Sequence, residues 1–388
     1  MKKYFLLCFL LATIHAFSQE FDQLLTERRP NCADIAYNSG LYFVKYMQEN
    51  KLDTAALLLN YWEMKCGIYE PIFRAKILLA LQTGTFNDSL LGNNPLRYMS
   101  NYKNRIKIIQ DETPYHRYDG YKSFYGYVPP GQAFDTYTSQ MAIKLKDDYD
   151  PESMEYLLAE FYGDDSEAVF SRIQLPQHRG SKLYENYNEQ LQSYLTMSEW
   201  NLSFSAGVWV PTGNITQLGC HPEIGLQVGW KYKKMNYDLI CAVKFINAYN
   251  DYYVRRKGST EPELTNYFLG YTIGIDVGRD IFARNHHEVQ LIAGIAYDGF
   301  QVIKEDKDAG IKSLSVNSYN FNIGLGYRYY VKEHWYWGIR AKINFVDYTL
   351  NRVLDFTGFP VTIHIVVGGL DNIFRNDGLR NLRYKIRP

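Results

Sequence analysis

Residues 200–210 read WNLSFSAGVWV, residues 224–230 read IGLQVGW and residues 237–245 read YDLICAVKF. In the first stretch Leu202, Phe204, Ala206, Val208 and Val210 alternate with Asn201, Ser203, Ser205 and Gly207. A period of two sends successive side chains to opposite faces of a strand. The same alternation runs through Ile224/Leu226/Val228/Trp230, Tyr237/Leu239/Cys241/Val243/Phe245 and Tyr267/Leu269/Tyr271/Ile273/Ile275/Val277. It returns in Val289/Leu291/Ala293/Ile295/Tyr297, Tyr319/Phe321/Ile323/Leu325/Tyr327, Trp335/Trp337/Ile339/Ala341/Ile343/Phe345 and Val361/Ile363/Ile365/Val367. Eight such segments of about ten residues have the length of tilted strands crossing a bilayer.

A soluble sandwich alternates too, and three features decide against it. Segments 212–221, 249–264, 301–316 and 350–359 are long, whereas 234–236, 279–286 and 332–334 are short. Long outer loops alternating with short periplasmic turns are the outer-membrane pattern. Trp200, Trp230, Tyr237, Tyr327, Tyr329, Trp335 and Trp337 share the apolar parity near the short turns, and are expected to form an interfacial girdle. The opposite parity carries Glu223, Lys231, Asp238, Lys244, Asp276, Glu288, Asp298, Arg328, Arg340 and Lys342. An Arg or Lys turned toward lipid at the midplane would cost ~2–4 kcal/mol, so these ten are expected inside a barrel.

Residues 200–388 resemble the small outer-membrane β-barrel proteins common in Bacteroidota, of the OmpA-like or PorT-like eight-strand class. The likeness rests on Pro211-Thr212-Gly213, Leu218-Gly219 and Pro222-x-x-Gly225-x-x-x-Gly229, with a leader ending Ser18-Gln19. It implies an eight-stranded transmembrane barrel and no catalytic residues. Such barrels usually end on an aromatic residue in the last strand; here Leu370 to Pro388 follow it. The tail reads either as a periplasmic extension or as a sign that the last strand lies elsewhere.

The N-terminus supports export. Lys2-Lys3, the apolar run Tyr4 to Phe17 and small residues Ala16 and Ser18 make a signal peptide cut before Gln19. Of 42 Lys+Arg and 42 Asp+Glu, two lysines lie in that leader, leaving 40 against 42. A nucleic-acid protein would carry a basic excess, so no such partner is expected. At 46% hydrophobic and 22% charged the chain is outside the disordered range.

From Cys32 to about Leu195 the apolar spacing becomes helical. Helices are expected at 33–48, 54–66 (capped by Asp53 and stopped by Gly67), 71–81, 95–110, 132–146, 151–162 and 181–196. The first pair resembles one tetratricopeptide-type hairpin over about 35 residues, without an obvious repeat. Residues 115–130, rich in Tyr, Gly and Pro, read as an aromatic loop packed over the helices or stacking on a ligand.

Four cysteines follow the leader: Cys32, Cys66, Cys220 and Cys241. In a hairpin turning near Lys51, Cys32 is 19 residues back and Cys66 is 15 forward. Their heights then differ by about 6 Å at 1.5 Å per residue, so a disulfide is expected. Cys220 and Cys241 lie roughly 25 Å apart along their strands and are not expected to pair.

The whole reads as an α+β two-domain chain: an N-terminal α-helical hairpin array followed by an eight-stranded antiparallel transmembrane β-barrel. Its parts are a signal peptide (1–18), a periplasmic helical domain (19–198), the outer-membrane barrel (199–369) and a tail (370–388). No pattern calls for a cofactor or metal; His286-His287-Glu288 reads as a turn, because neighbours on a strand face apart. His364, Ser315 and Ser318 show no triad spacing, and Tyr249, Tyr252, Tyr253, Arg255 and Arg256 read as a solvated loop rather than a sugar site. The expected partners are outer-membrane lipid and a periplasmic or outer-membrane protein in an assembly or secretion complex. A transport protein or channel is the first alternative and a lipid-modifying hydrolase the second.

Overall fold

The computed structural model describes residues 31–110, 118–256, 259–308, 310–348 and 356–385. The leader therefore lies outside the described residues, as do residues 115–117 of the aromatic loop. Two compact units divide between Glu189 and Gln190.

The first unit is helical. Its helices are α1 (Cys32–Gln48), α2 (Leu52–Cys66), α3 (Glu70–Gln82), α4 (Pro95–Ile109), α5 (Ala133–Lys146), α6 (Met154–Gly163), the short α7 (Ala168–Arg172) and most of α8 (Lys182–Leu195). Asn31 caps α1, its side chain accepting from Asp34 N at 2.8 Å. Asn50, at φ 55°, turns the chain into α2. Asp53 does not cap α2: the helix starts at Leu52, two residues earlier than expected, and Asp53 lies inside its first turn, where a carboxylate still suits the helix dipole. Gly67 stops α2 at φ 78°, a conformation that suits a residue without Cβ. Cys32 and Cys66 are disulfide-bonded with Cα atoms 5.5 Å apart, joining the open end of the α1–α2 hairpin.

The second unit is a closed antiparallel barrel. Its strands are β1 (Glu199–Val210), β2 (His221–Tyr232), β3 (Met235–Lys244), β6 (Leu269–Arg284), β7 (His287–Ile303), β8 (Leu314–Tyr330), β9 (Trp335–Asp347) and β11 (Val361–Asp371). Short pieces β4 (Tyr252–Val254), β5 (Glu263–Thr265) and β10 (Thr357–Gly358) lie in the long connections. Pairing runs β1-β2-β3-β6-β7-β8-β9-β11, and β11 returns to β1 from Trp200↔Asp371 to Val210↔Val361. Closure leaves no unpaired edge, which a spanning sheet requires.

Two expectations at the short-turn end change. Residues 279–284 are strand, and the hairpin is Asn285-His286, with Asn285 at φ 54° supplying the turn. A register shift between Asp280 and Phe282 lets β6 continue past the point where its alternation fades. At the chain's end the last strand lies where the alternation predicts it, extended to Asp371, and the tail forms a helix, α9 (Ile373–Asn381). Asn372 caps α9 by accepting from Arg375 N, and Arg375 reaches Glu199 at 3.1 Å. Gly378 leaves room for the ring of Tyr194, since a Cβ there would meet it at 2.3 Å.

Candidate functional site

Leu202, Phe204, Ile224, Ile273, Ile339 and Ile365 stand exposed on the outside of the barrel, while the polar parity points in and is buried. Such an outer surface has lipid as its natural solvent. All seven girdle aromatics lie on this outer face toward the short turns. Trp230 stands opposite Trp200 on one side and stacks on Tyr237 at 5.7 Å on the other. Tyr327 and Tyr329 pack on Trp337 at 6.3 and 5.8 Å, and Trp335 starts the same strand.

All ten inward charges are less than one-tenth exposed, and they meet in three groups along the barrel. Nearest the short turns, Lys231 pairs with Glu288, and Arg328 reaches Glu288 at 3.2 Å. In the middle, Asp276 accepts from Arg340 at 3.2 Å and Lys342 at 3.0 Å, and Arg340 also approaches Asp238 at 3.6 Å. Toward the long loops, Lys244 meets Asp298 at 2.7 Å, and Glu223 lies 3.5 Å from His364. Opposite charges at such distances in a low-dielectric interior hold one another in place, and each would be costly alone.

The sequence reading misses one member. Asp280 accepts from Lys231 at 2.6 Å and from Asn236 at 2.9 Å. Loop spacing assigns it to a turn, although two-residue counting from Asp276 and Gly278 places it inside. The closure beyond the charges is missed as well. Trp209, Phe268, Phe300, Val316 and Tyr348 form an apolar cluster with Ile215 and Leu218 of the first long connection and Phe356 of the last. The segment 249–264 is thus not simply a solvated loop. Tyr252 and Val254 are buried in that cluster because β4 pairs with β5, whereas Tyr249 and Tyr253 remain exposed. Arg256 is held by Glu263 at 2.7 Å and by the carbonyl of Lys312 at 2.8 Å. At the opposite end Tyr330, Tyr336, Val366 and Leu370 pack together, and Tyr336 donates to Asn201 at 2.8 Å.

The residues weighed for catalysis do not assemble. His364 faces Glu223 inside the barrel, while Ser318 Oγ donates to its neighbour's carbonyl and accepts from Asp347 N. His287 shares a 2.8 Å hydrogen bond with Tyr327 Oη on the outer face, and Glu288 points inward, so the His286-His287-Glu288 run is split across the wall. Cys220 and Cys241 are both free.

In the helical unit the most buried polar group joins Glu70 and Arg74 of α3, Arg105 of α4 and Asp135 of α5. Arg74 lies 2.9 Å from Glu70 and 2.7 Å from Asp135, which also accepts from Arg105 at 2.8 Å. Burial pushes the Asp135 carboxyl up, but Arg105 and Arg74 more than reverse this and hold it below its usual range. For Glu70 burial prevails over Arg74, and its carboxyl is raised. Burial also lifts the Tyr102 hydroxyl to about 12. Arg105 donates to the carbonyls of Tyr125, Val128 and Pro129, so the group fastens the aromatic loop to the helices. Tyr118 and Tyr125 pack on Ile108, while Tyr121 and Phe124 stay exposed.

The helical region followed by a closed eight-stranded antiparallel barrel defines the class: a two-part chain carrying an outer-membrane-type β-barrel. No protein-family model matches the chain, and no curated protein matches it. Among solved structures it is similar to Neisserial surface protein A, at 12% identity and TM-score 0.32, over 45% of this chain and 97% of that one. A major outer membrane protein from Thermus thermophilus gives 9% and 0.30 over 45% and 100%. Ail, the attachment invasion locus protein of Yersinia pestis, in complex with the heparin analogue sucrose octasulfate, gives 12% and 0.26 over 45% and 96%.

Proposed function

We propose that the chain is a non-enzymatic outer-membrane protein whose barrel is an anchor and whose helical unit is a protein-interaction module in the periplasm, serving an envelope assembly or secretion complex. The filled barrel interior carries this reading. Ion pairs occupy its middle and apolar clusters occupy both ends, so the wall has a core of its own rather than a lumen.

The barrel's own ends support the periplasmic assignment. Glu199 and Asp371 both lie at the end with the short turns, which is the periplasmic end in barrels of this type. The helical unit offers a partner Leu57 and Met64, each 70% exposed, beside Tyr61 on α2. Large apolar side chains left in water on one helix are a common mark of a protein contact.

Photo-crosslinking residues placed at Leu57 and Met64 in intact envelopes should trap the same envelope protein from both positions. The same probe at Glu152 should trap none. Epitope tags at Gly310 should be visible on whole cells and tags at Asn285 only after permeabilisation. Ion conduction by the purified barrel in planar bilayers would replace the anchor reading with the channel.

A further inference from the structure

Inside the barrel, between the middle and upper charge groups, is a cavity of about 30 Å³ lined by polar side chains from several strands. Asn322 of β8 contributes its whole amide, 5% exposed, and neither its oxygen nor its nitrogen has a hydrogen-bond partner. Asn320 Oδ1 lines the same space, buried and likewise without one, and beside it Glu223 Oε2 and His364 Nε2 face each other at 3.5 Å, the long limit of a hydrogen bond. Buried polar atoms left unpaired cost free energy, and a folded interior usually supplies them with protein or water. Two asparagines with unpartnered atoms and a stretched Glu223–His364 pair around one small space are a built site rather than scattered exceptions.

Their chemistry selects the ligand. Of the five atoms three are oxygens that accept, the Asn322 amide nitrogen donates, and His364 Nε2 donates or accepts according to its tautomer. A halide would satisfy the donor and leave three oxygens facing an anion. A metal cation would suit the oxygens, but Lys244, Arg340 and Lys342 also line the cavity. Water does both jobs, and at about 10–15 Å³ of such space for each molecule the volume holds roughly two.

We propose that the barrel binds two structural water molecules here, hydrogen-bonded to Asn322, Asn320, Glu223 and His364. Glycines let the lining side chains sit where they do: a Cβ on Gly207 would fall 2.7 Å from the His364 ring, and one on Gly294 would fall 3.0 Å from Asn322 Nδ2. The waters link β8 to β2 and β11, which the Glu223–His364 contact already joins to each other. With apolar clusters at both ends of the barrel, they exchange with bulk slowly.

The test is a crystal structure of the full chain in detergent, grown in bromide and resolved well enough to place single waters. Two density peaks within hydrogen-bond distance of Asn322, without anomalous signal, are expected. A bromide anomalous peak would overturn the water assignment in favour of an anion, and a cavity free of density would overturn the site. In solution, the Asn322 side-chain amide should show magnetisation transfer from long-lived water. Asn322→Leu, if it still shows the folded barrel's mobility on unheated gels, should lose at least the peak beside residue 322. Persistence of both peaks in that variant would mean Asn322 does not hold them.

Discussion

Lys244 Nζ lies 2.7 Å from Asp298 Oδ2, and both side chains are 2% exposed. Asp298 also accepts from Thr272 and from Tyr348 at 2.8 Å each, so one carboxylate ties β3, β6 and β7 to the last long connection. Removing it alone leaves a buried ammonium. Asp298→Ala should therefore cost about 3–5 kcal/mol, read from urea unfolding in detergent. Lys244→Met combined with Asp298→Leu should recover most of that loss, because a buried pair replaced by apolar groups is often near neutral. Additive losses in the double variant would show that the pair does not act as a unit.

Parity gives a second outcome. Single cysteines at Leu226, Ile273 and Ile339 should react with lipid-phase reagents, since all three stand exposed on the outer wall. Cysteines at Gln227, Thr272 and Arg340 should be protected, being at most 7% exposed. The opposite pattern would require the register to slip by one residue.

Reduction of the Cys32–Cys66 bond should loosen the helical unit and spare the barrel, which contains neither cysteine. The chain-entropy estimate for closing such a loop is about 2–4 kcal/mol. Loss of helical far-ultraviolet signal at lower urea in reductant, with the barrel's heat-dependent gel shift unchanged, is the expected result.

Acid should act on the helical unit through Asp135. Its folded pKa lies below the ordinary 3.8, so the stability it contributes is present above that value and is lost as pH falls through the folded pKa. Asp135→Asn should be less stable by about 3–5 kcal/mol at neutral pH, because Arg74 and Arg105 lose their shared carboxylate. It should also lack the acid-sensitive limb below pH 3.8. Glu70 is shifted the other way, so the comparison is cleanest in an E70Q background.

The barrel is legible because alternation is a strong signal wherever one face meets lipid and the other meets charge. Leu226 and Gln227, or Ile339 and Arg340, declare their sides by chemistry alone. The signal weakens where that contrast changes. Asp280 follows the inward parity of Asp276, but Ile281 and Phe282 both point outward after it, and two adjacent apolar residues hide the strand. At the long-loop ends the inward positions turn apolar, as in Phe300, Val302 and Val346, and there the alternation no longer separates inside from outside. That same shift is the available clue to the cap. In the helical unit, spacing locates the helices, but the Glu70–Arg74–Arg105–Asp135 group draws on three helices whose packing no local pattern reports.

The apolar cap has a consequence for how this surface can change over time. Tyr252, Val254, Ile215 and Phe356 belong to the long connections, yet they are as buried as any core residue. Loops of that kind are not free display segments: most substitutions in them would unpack the end of the barrel. Freedom to vary is left to Tyr249, to residues 259–264 at the far end of the β4–β5 hairpin and to residues 304–308 and 310–313, whose side chains are exposed. Sequence change at that end of the barrel is therefore expected at those exposed positions and not beneath the cap.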